Sequence, residues 1–251
     1  MLDPRISLLR KKLENVKSIV LFGSGKGGVG KSVISSATSY ILSERGYDVA
    51  YLDLDFHGPA GQSLFPVDIQ FKGGREGVEL PISDGVRVMS IGYFLGDNPF
   101  PLAGREKIDL LIDFFSILNL GKLDSIIIDL PPGMGDELTF TQRVFRDRVS
   151  IVAVTMDSEL SLNVAEKLMK YIKTEKINFL GIIVNMVNLF REYNPKQIEK
   201  RLRGEVLGAV SYHPRLEEFK TIKSKLENVH EFRREIEHVV DDLLKRVNLL
   251  K

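Results

Sequence analysis

The chain contains no cysteine among its 251 residues. This absence excludes disulfide bonds, thiolate metal sites, catalytic thiols and iron–sulfur clusters held by cysteines of this chain. Tryptophan is absent as well, and no uncharged apolar run is long enough to span a membrane. The stretch from Met1 to Arg5 also lacks the apolar region of a signal peptide. We therefore expect a soluble, cytoplasmic protein.

An excess of charge of one sign is missing too. The 35 Lys and Arg residues nearly equal the 34 Asp and Glu residues, which gives a net charge of +1. This balance selects neither nucleic acid nor membrane as a partner. Apolar residues make up 43% of the chain, which is enough for a core. The length suits one large α/β domain or two small ones.

The most informative stretch is Gly-Lys-Gly-Gly-Val-Gly-Lys-Ser at positions 25–32, between the apolar run 19–22 and a predicted helix over 32–42. The pattern G-x-x-x-x-G-K-[ST] between a strand and a helix is typical of a phosphate-binding loop. Glycines let successive backbone amides point into one concavity, and the helix adds free amides. The alternative is a glycine-rich turn that binds nothing. The predicted nucleotide-binding residues here are Gly25, Lys26, Gly27, Gly28, Val29, Gly30, Lys31, Ser32 and Val33.

Within this loop, two side chains have specific expected roles. Lys31 is expected to reach the β- and γ-phosphates, and the Ser32 hydroxyl is expected to bind Mg²⁺.

Carboxylates end two further predicted strands. Asp53 and Asp55 share one face at the carboxyl end of a strand over 48–54, where ligands bind in parallel sheets. A polar strand end that only caps a turn is the alternative for this pair.

Asp129 ends the apolar strand that contains residues 126–128. A strand that ends in this way is typical of the Walker B motif, whose carboxylate holds Mg²⁺, often through water. Asp136 follows closely, where it either caps the next helix or takes a catalytic role.

Strands and helices alternate along the chain, and no linker divides it. We therefore expect an α/β fold with a single doubly wound, mostly parallel sheet and helices on both faces. One P-loop domain over 1–251 is the corresponding prediction. The predicted strands cover 17–23, 48–54, 86–91, 149–155, 179–186 and 205–211, with a further one ending at Asp129. The predicted helices cover 3–15, 32–42, 104–120, 158–173 and about 229–248, and residues 66–84 are predicted to be the least regular part.

Three motifs together resemble the Mrp/ApbC branch of the MinD/ParA superfamily of deviant Walker A P-loop ATPases, which is of the SIMIBI type. They are the loop at 25–32, the D-x-D-x-x-G-P pattern from Asp53 to Pro59 and the D-L-P-P-G-x-G-D pattern from Asp129 to Asp136. The resemblance covers roughly residues 16–215. It implies ATP and Mg²⁺ as cofactors and a slow ATPase that forms a homodimer in its ATP state.

The resemblance also implies roles for individual residues. Lys26 would complete the ATP site of a second subunit, whereas the alternative is a solvated surface lysine. Asp55 would lie near the attacking water and Asp53 near the metal. Asn185 matches an asparagine that contacts the adenine edge, with a simple turn residue as the alternative. Pro214 lies where the base-contacting loop often has a proline.

One departure from the family pattern concerns cluster binding. Many Mrp-branch proteins carry a Cys-x-x-Cys pair after the Asn-Met strand, whereas residues 187–202 here contain no thiolate. Tyr, Asn and Glu do not replace the soft sulfur ligands of a cluster. We therefore expect no cysteine-ligated iron–sulfur cluster. A role in cluster assembly would act through an unidentified protein client.

Two rivals and one limiting case stay open at this stage. MinD-like proteins bind membrane through a C-terminal amphipathic helix, but acidic residues interrupt the polar face here, so we expect its apolar stripe to pack on the sheet. ParA-like proteins bind DNA, a partner that the near-zero net charge leaves without support. A nucleotide-bound regulator without turnover is the limiting case. The basic residues that would serve DNA are Arg143, Arg146, Arg148, Lys196, Lys200, Arg201 and Arg203.

Overall fold

The computed structural model describes residues 4–56, 58–68, 73–74, 77–95, 104–145, 148–190 and 192–249. The strands are β1 (Val16–Ser24), β2 (Val49–Asp53), β3 (Gly73–Gly74), β4 (Gly77–Glu79), β5 (Ile82–Ser83), β6 (Val86–Ser90), β7 (Leu118–Asn119), β8 (Leu123–Asp129), β9 (Val149–Met156), β10 (Asn178–Val187) and β11 (Val206–Ser211). The helices are α1 (Pro4–Leu13), α2 (Lys31–Glu44), α3 (Gly61–Leu64), α4 (Gly92–Leu95), α5 (Arg105–Ile117), α6 (Asp136–Phe145), α7 (Glu159–Thr174), α8 (Pro195–Leu202), α9 (Ile222–Asn228) and α10 (His230–Arg246), with a 3-10 turn at Pro214–Glu218.

Eight strands form the central sheet, in the order β11-β10-β9-β1-β8-β2-β6-β5. All neighbouring pairs are parallel except β5 with β6, which is antiparallel. A second sheet of three short strands has the order β3-β4-β7. The predicted α/β fold with a mostly parallel sheet is therefore confirmed.

Helices cover both faces of the central sheet, and the alternation of side chains along β1 shows how. Ile19 and Leu21 belong to one buried cluster, which α1, α5, α6 and α7 help to form. Val20 and Phe22 belong to another, which α2, α9 and α10 help to form. Because both faces are buried, the strands are continuously apolar, as in other parallel sheets. The carboxyl ends of the strands remain free to carry the site.

The C-terminal helix packs on the protein, as the sequence predicted. The apolar stripe of α10 is buried, and the helix contacts β11 and α2. None of the helices in the described ranges has the length and apolar character needed to cross a membrane.

The region from 66 to 84, predicted to be the least regular part, contributes three short strands that the sequence did not predict, β3, β4 and β5. The turn between β5 and β6 uses Asp84 and Gly85, both with positive φ. Asp-Gly is a strong signal for a two-residue hairpin turn. The helix predicted over 104–120 ends earlier than expected, and its last residues form β7 instead.

The other element boundaries lie close to their predictions. The N-terminal helix predicted over 3–15 is observed as α1, with position 3 outside the described residues. The C-terminal helix predicted over about 229–248 is observed as α10. The division of the chain into domains stays a prediction.

Candidate phosphate-binding site

The glycine-rich segment joins β1 to α2 at the carboxyl end of the central sheet. Gly28 and Gly30 have φ values of 77° and 80°, in the left-handed region that other residues rarely adopt. Lys26, Gly27 and Gly28 are exposed, whereas Val29 is buried. The segment therefore forms an open turn anchored by one apolar side chain.

Gly25 and Gly30 each allow a close approach that a side chain would block. A Cβ atom at Gly25 would lie 2.8 Å from the backbone carbonyl oxygen of Val164 in α7. A Cβ atom at Gly30 would lie 2.2 Å from Nδ2 of Asn185. Both distances are far below van der Waals contact, so packing favours glycine at both positions, and at Gly30 the left-handed backbone favours it as well.

Asn185 supports the loop from below. Its side-chain Nδ2 donates to the backbone carbonyl of Val29 at 2.9 Å, and the residue is buried at the end of β10. The amide therefore fixes the loop conformation in this structure, and its predicted contact with adenine stays a prediction. Pro214, the other predicted base contact, is exposed at the first position of the 3-10 turn.

Lys31 and Asp129 meet beneath the loop. Nζ of Lys31 contacts Oδ1 of Asp129 at 2.5 Å, and both side chains are buried. The Ser35 hydroxyl donates to the same oxygen at 3.1 Å. Sequence reasoning missed Ser35, although its place one helical turn after Ser32 could have indicated it.

The second carboxylate oxygen of Asp129, Oδ2, is buried and has no hydrogen-bond partner within the described part of the chain. A buried charged oxygen without a partner is costly, and a cation or its bound water would satisfy it. No group of three or more acidic or histidine side chains clusters as a metal site in the described ranges. The residues thus fit a magnesium ion that takes few protein ligands and shares the oxygens of a phosphate.

Asp53 lies next to Asp129 on the neighbouring strand and holds the chain that follows β2. Its Oδ1 accepts from the amide of Asp55 at 3.0 Å, and Oδ2 accepts from the amide of Gly61 and the hydroxyl of Ser90. Burial, followed by the charge of Asp129, raises the pKa of Asp53 to about 7. In this structure, therefore, Asp53 closes the loop between β2 and α3. Sequence reasoning missed Ser90, although β6 ends beside β2.

Asp55 lies inside that loop and is 9% exposed. Its Oδ1 accepts from the amide of Gly58 at 3.1 Å, which keeps the carboxylate near its own backbone. Ser32 and Val33, at the start of α2, are half-buried. The structure thus places all of the predicted loop and carboxylate residues at one end of the sheet.

A buried ion pair lies behind the site, between α5 and α6. Lys107 contacts Glu137, and the Lys107 ammonium lies 4.7 Å from the centre of the Phe56 ring. Asp136 accepts from the backbone amide of Gly104 at 2.9 Å, at the start of α5. The sequence gives no signal for the ion pair, because the two residues are distant in the chain and each is typical of a solvated helix.

The basic residues that could have served DNA are used in part by the fold. The guanidinium of Arg148 donates to two backbone carbonyls around the turn between α1 and β1. Arg201 pairs with Glu159 and Glu166, each at 2.8 Å. Arg146 lies outside the described residues. Because Arg148 and Arg201 are already held by these interactions, fewer cations are free to bind DNA than the sequence indicates.

The 131–137 segment after β8 adjoins the loop. The amide of Gly133, which has a φ of 96°, donates to the carbonyl of Ser24 at 2.7 Å. A Cβ atom at Gly27 would lie 3.8 Å from Pro132. The loop and this segment are therefore neighbours, so a ligand bound in the loop would lie next to residues 131–137.

Comparison with known proteins agrees with this geometry. The ParA family model described as NUBPL iron-transfer P-loop NTPase matches residues 15–247. An iron–sulfur cluster carrier protein of Methanococcus maripaludis is 36% identical over 191 residues, which cover 74% of this chain and 66% of that protein. The cytosolic Fe-S cluster assembly factor CFD1 of Saccharomyces cerevisiae is 30% identical over 238 residues, which cover 86% of this chain and 81% of that protein.

Among solved structures, a nucleotide-binding protein of Archaeoglobus fulgidus in complex with ADP superposes with a TM-score of 0.74 at 27% identity. The superposition covers 92% of this chain and 95% of that one. The match with the Methanococcus carrier spans just under two thirds of that protein's length. The resemblance to the Mrp/ApbC branch is confirmed, and the chain belongs to the NUBPL iron-transfer P-loop NTPase family of the MinD/ParA superfamily.

Proposed function

We propose that this chain binds and slowly hydrolyses ATP with Mg²⁺ and forms a homodimer in the ATP state. The observation that carries the proposal is the buried pair of Lys31 with Asp129 beneath an open loop, together with the partnerless Oδ2 of that carboxylate. A lysine and an acidic strand end meeting below a glycine-rich turn are the parts that phosphate binding and metal binding need.

In this proposal the loop amides from Gly27 to Lys31 hold the phosphates. The Lys31 ammonium leaves Asp129 and binds the β- and γ-phosphates, which frees Oδ1 from the ion pair, whereas Oδ2 already lacks a hydrogen-bond partner among the described residues. Ser32 and Asp129 would hold Mg²⁺, with Asp53 beside them. When bound, the ion offsets the negative charge of the phosphates.

Two further residues act on the reaction. Asp55 positions the attacking water, because it is the carboxylate on the loop that Asp53 closes. Lys26 is exposed on the open side of the turn. From there it reaches the phosphates of a second subunit and offsets charge that develops in the transition state.

The test is the mass of the purified protein by light scattering, with no nucleotide, with ADP and with a non-hydrolysable ATP analogue, each with Mg²⁺. We expect a compact dimer with the analogue alone. Lys26→Ala should bind ATP as the wild type does and fail to dimerise. The matched control is Lys122→Ala, a change at an exposed lysine just before β8, at the end of the strands opposite the loop. A Lys26→Ala protein that still dimerises with the analogue would refute the role in trans.

Hydrolysis separates the switch from a nucleotide-bound regulator. Asp55→Ala should keep ATP affinity and lose most of the turnover that the wild type shows under the same conditions. Unchanged turnover in this variant would show that another group positions the water. A wild-type protein that binds ATP without turnover would support the regulator.

We also propose that the switch serves iron–sulfur cluster assembly in the cytoplasm through a protein client, without ligating a cluster by cysteine. The support is the printed names of the relatives, an iron–sulfur cluster carrier protein and a cytosolic Fe-S cluster assembly factor. Anaerobic incubation with iron and sulfide should leave this chain without the absorption of a sulfur-ligated cluster. A stoichiometric cluster in that experiment would show that ligands other than cysteine suffice.

A further inference from the structure

A groove of about 610 Å³ lies at the end of the sheet opposite the phosphate loop. It is lined by the last two turns of α7, the start of β10 and the end of α8. Because neighbouring strands of this part of the sheet are parallel, the starts of β10 and β11 and the ends of α7 and α8 meet there. The groove is thus separate from the nucleotide site.

The rim of the groove is strongly basic. Lys170, Lys173, Lys176 and Arg203 line it and are exposed. No ion pair to any of these four side chains is found within the ranges that the structure describes. Among the lining residues Glu166 alone is acidic. The rim therefore carries four cations without a partner from the fold.

The fifth cation at the rim is already used. Arg201 binds Glu166 and Glu159, each at 2.8 Å, and contacts the side-chain oxygen of Asn163 at 2.5 Å. One guanidinium shared by two carboxylates leaves this network with a net charge of about −1, which offsets only part of the charge of the four free cations. Electrostatic attraction for a negatively charged ligand is therefore the net property of the rim.

The floor of the groove is apolar. Met169, Ile177 and Phe179 are partly buried against the core and face the groove. Gly204 allows this arrangement, because a Cβ atom there would lie 2.8 Å from the Phe179 ring and 3.0 Å from the Met169 methyl group. A ligand that covers this floor would gain free energy from burying apolar surface.

The cations are spread over both walls instead of meeting at one point. Lys170 and Lys173 lie on successive turns of α7, about 4.5 Å apart along the helix axis, and Lys176 follows the helix end. Arg203 stands opposite, after α8. A single phosphate or carboxylate could contact only part of this set. Several acidic groups on one extended chain could contact all of it.

We propose that this groove docks an acidic segment of a partner protein, with an apolar side chain in the groove and Asp or Glu residues on either side. The apolar residue covers the floor formed by Met169, Ile177 and Phe179. The flanking carboxylates pair with the lysines of α7 and with Arg203. This site does not depend on the proposed ATPase activity.

The test uses the whole protein as bait for a displayed library of random dodecapeptides. Enriched sequences should carry acidic residues around at least one large apolar residue. A synthetic peptide of the enriched sequence should bind about tenfold or more weakly to Lys170→Glu/Lys173→Glu, because two exposed attractions become repulsions. Its affinity should also fall as salt is added.

The matched control is Lys196→Glu/Lys200→Glu, which makes the same charge change at exposed positions of α8 outside the groove. Both double variants change exposed residues, and circular dichroism verifies that each is folded. The control should bind the peptide as the wild type does. Three results would overturn the proposal. The library could enrich sequences without acidic residues, or it could enrich the same sequences on Lys170→Glu/Lys173→Glu as on the wild type. Both double variants could also lose the same affinity for the peptide.

Discussion

Replacing Gly30 by alanine tests whether the loop is held by its contact with Asn185. Gly28 and Gly30 have nearly the same φ, so alanine should cost each about 1–2 kcal/mol of stability for the left-handed backbone alone. The two sites differ in their surroundings. Apart from its chain neighbours, no atom of the described residues lies within 4 Å of a Cβ at Gly28, whereas a Cβ at Gly30 would lie 2.2 Å from Nδ2 of Asn185.

The added methyl group at Gly30 would therefore displace Asn185. Its hydrogen bond to the Val29 carbonyl would be lost, and a buried acceptor without a partner costs about 1–3 kcal/mol more. We expect Gly30→Ala to lower the free energy of unfolding by about 2–5 kcal/mol and Gly28→Ala by about 1–2 kcal/mol. Urea unfolding of the nucleotide-free proteins measures both.

A double variant makes the test specific. Gly30→Ala combined with Asn185→Ala removes the atom that the methyl group would meet, so the two losses should not add. We expect a coupling energy of about 1 kcal/mol or more between the two positions. Equal losses for Gly28→Ala and Gly30→Ala, or strict additivity in the double variant, would refute the reasoning.

The remaining predictions concern three buried polar groups. Lys107→Met should lower the free energy of unfolding by about 3–5 kcal/mol because it leaves the Glu137 carboxylate buried alone, whereas Lys107→Met/Glu137→Leu should recover most of that loss in urea unfolding. Burial raises the pKa of Asp53 from 3.8 to about 7. The protonated carboxyl therefore contributes to the free energy of unfolding in full below pH 3.8, and this contribution is lost as pH rises through 7. The nucleotide-free wild type should therefore lose roughly 2–3 kcal/mol relative to Asp53→Asn between pH 5 and pH 8, and parallel pH profiles would contradict this. Asn185→Ala should weaken ATP and GTP binding by similar factors in calorimetry if the amide only supports the loop, and a selective loss for ATP would reveal the predicted adenine contact.

Local patterns were sufficient to predict most of the fold. Long apolar strands and glycine spacing mark β1, the loop and α2, because these signals arise within about thirty neighbouring residues. Asp53 and Asp129 could be placed at the same end of the sheet because the carboxyl ends of parallel strands meet there. In the structure these two residues are partners in the register of β2 and β8. Strands of two or three residues such as β3 and β7 have no periodicity to read, so they were missed.

The rest depends on contacts between distant parts of the chain. The pairing of Lys107 with Glu137 and the support of Val29 by Asn185 join residues at least 30 positions apart, and neither member looks unusual in its own segment. Asp53 accepts hydrogen bonds from the backbone amides of Asp55 and Gly61. The second bond forms because the chain after β2 folds back towards Asp53 at Gly61. Only three-dimensional structure shows such relationships.

The contact between Lys31 and Asp129 has a consequence for ligand discrimination. In the free protein Lys31 already pairs with the buried carboxylate of Asp129, so it does not attract other anions as an unpaired lysine would. A ligand has to replace an existing bond, which exchanges one strong interaction for another. We therefore expect small ions such as inorganic phosphate to bind weakly, because they contact only part of the turn. We expect a polyphosphate that engages the whole turn to displace Asp129 from Lys31, so that the carboxylate becomes available only once the ligand is bound.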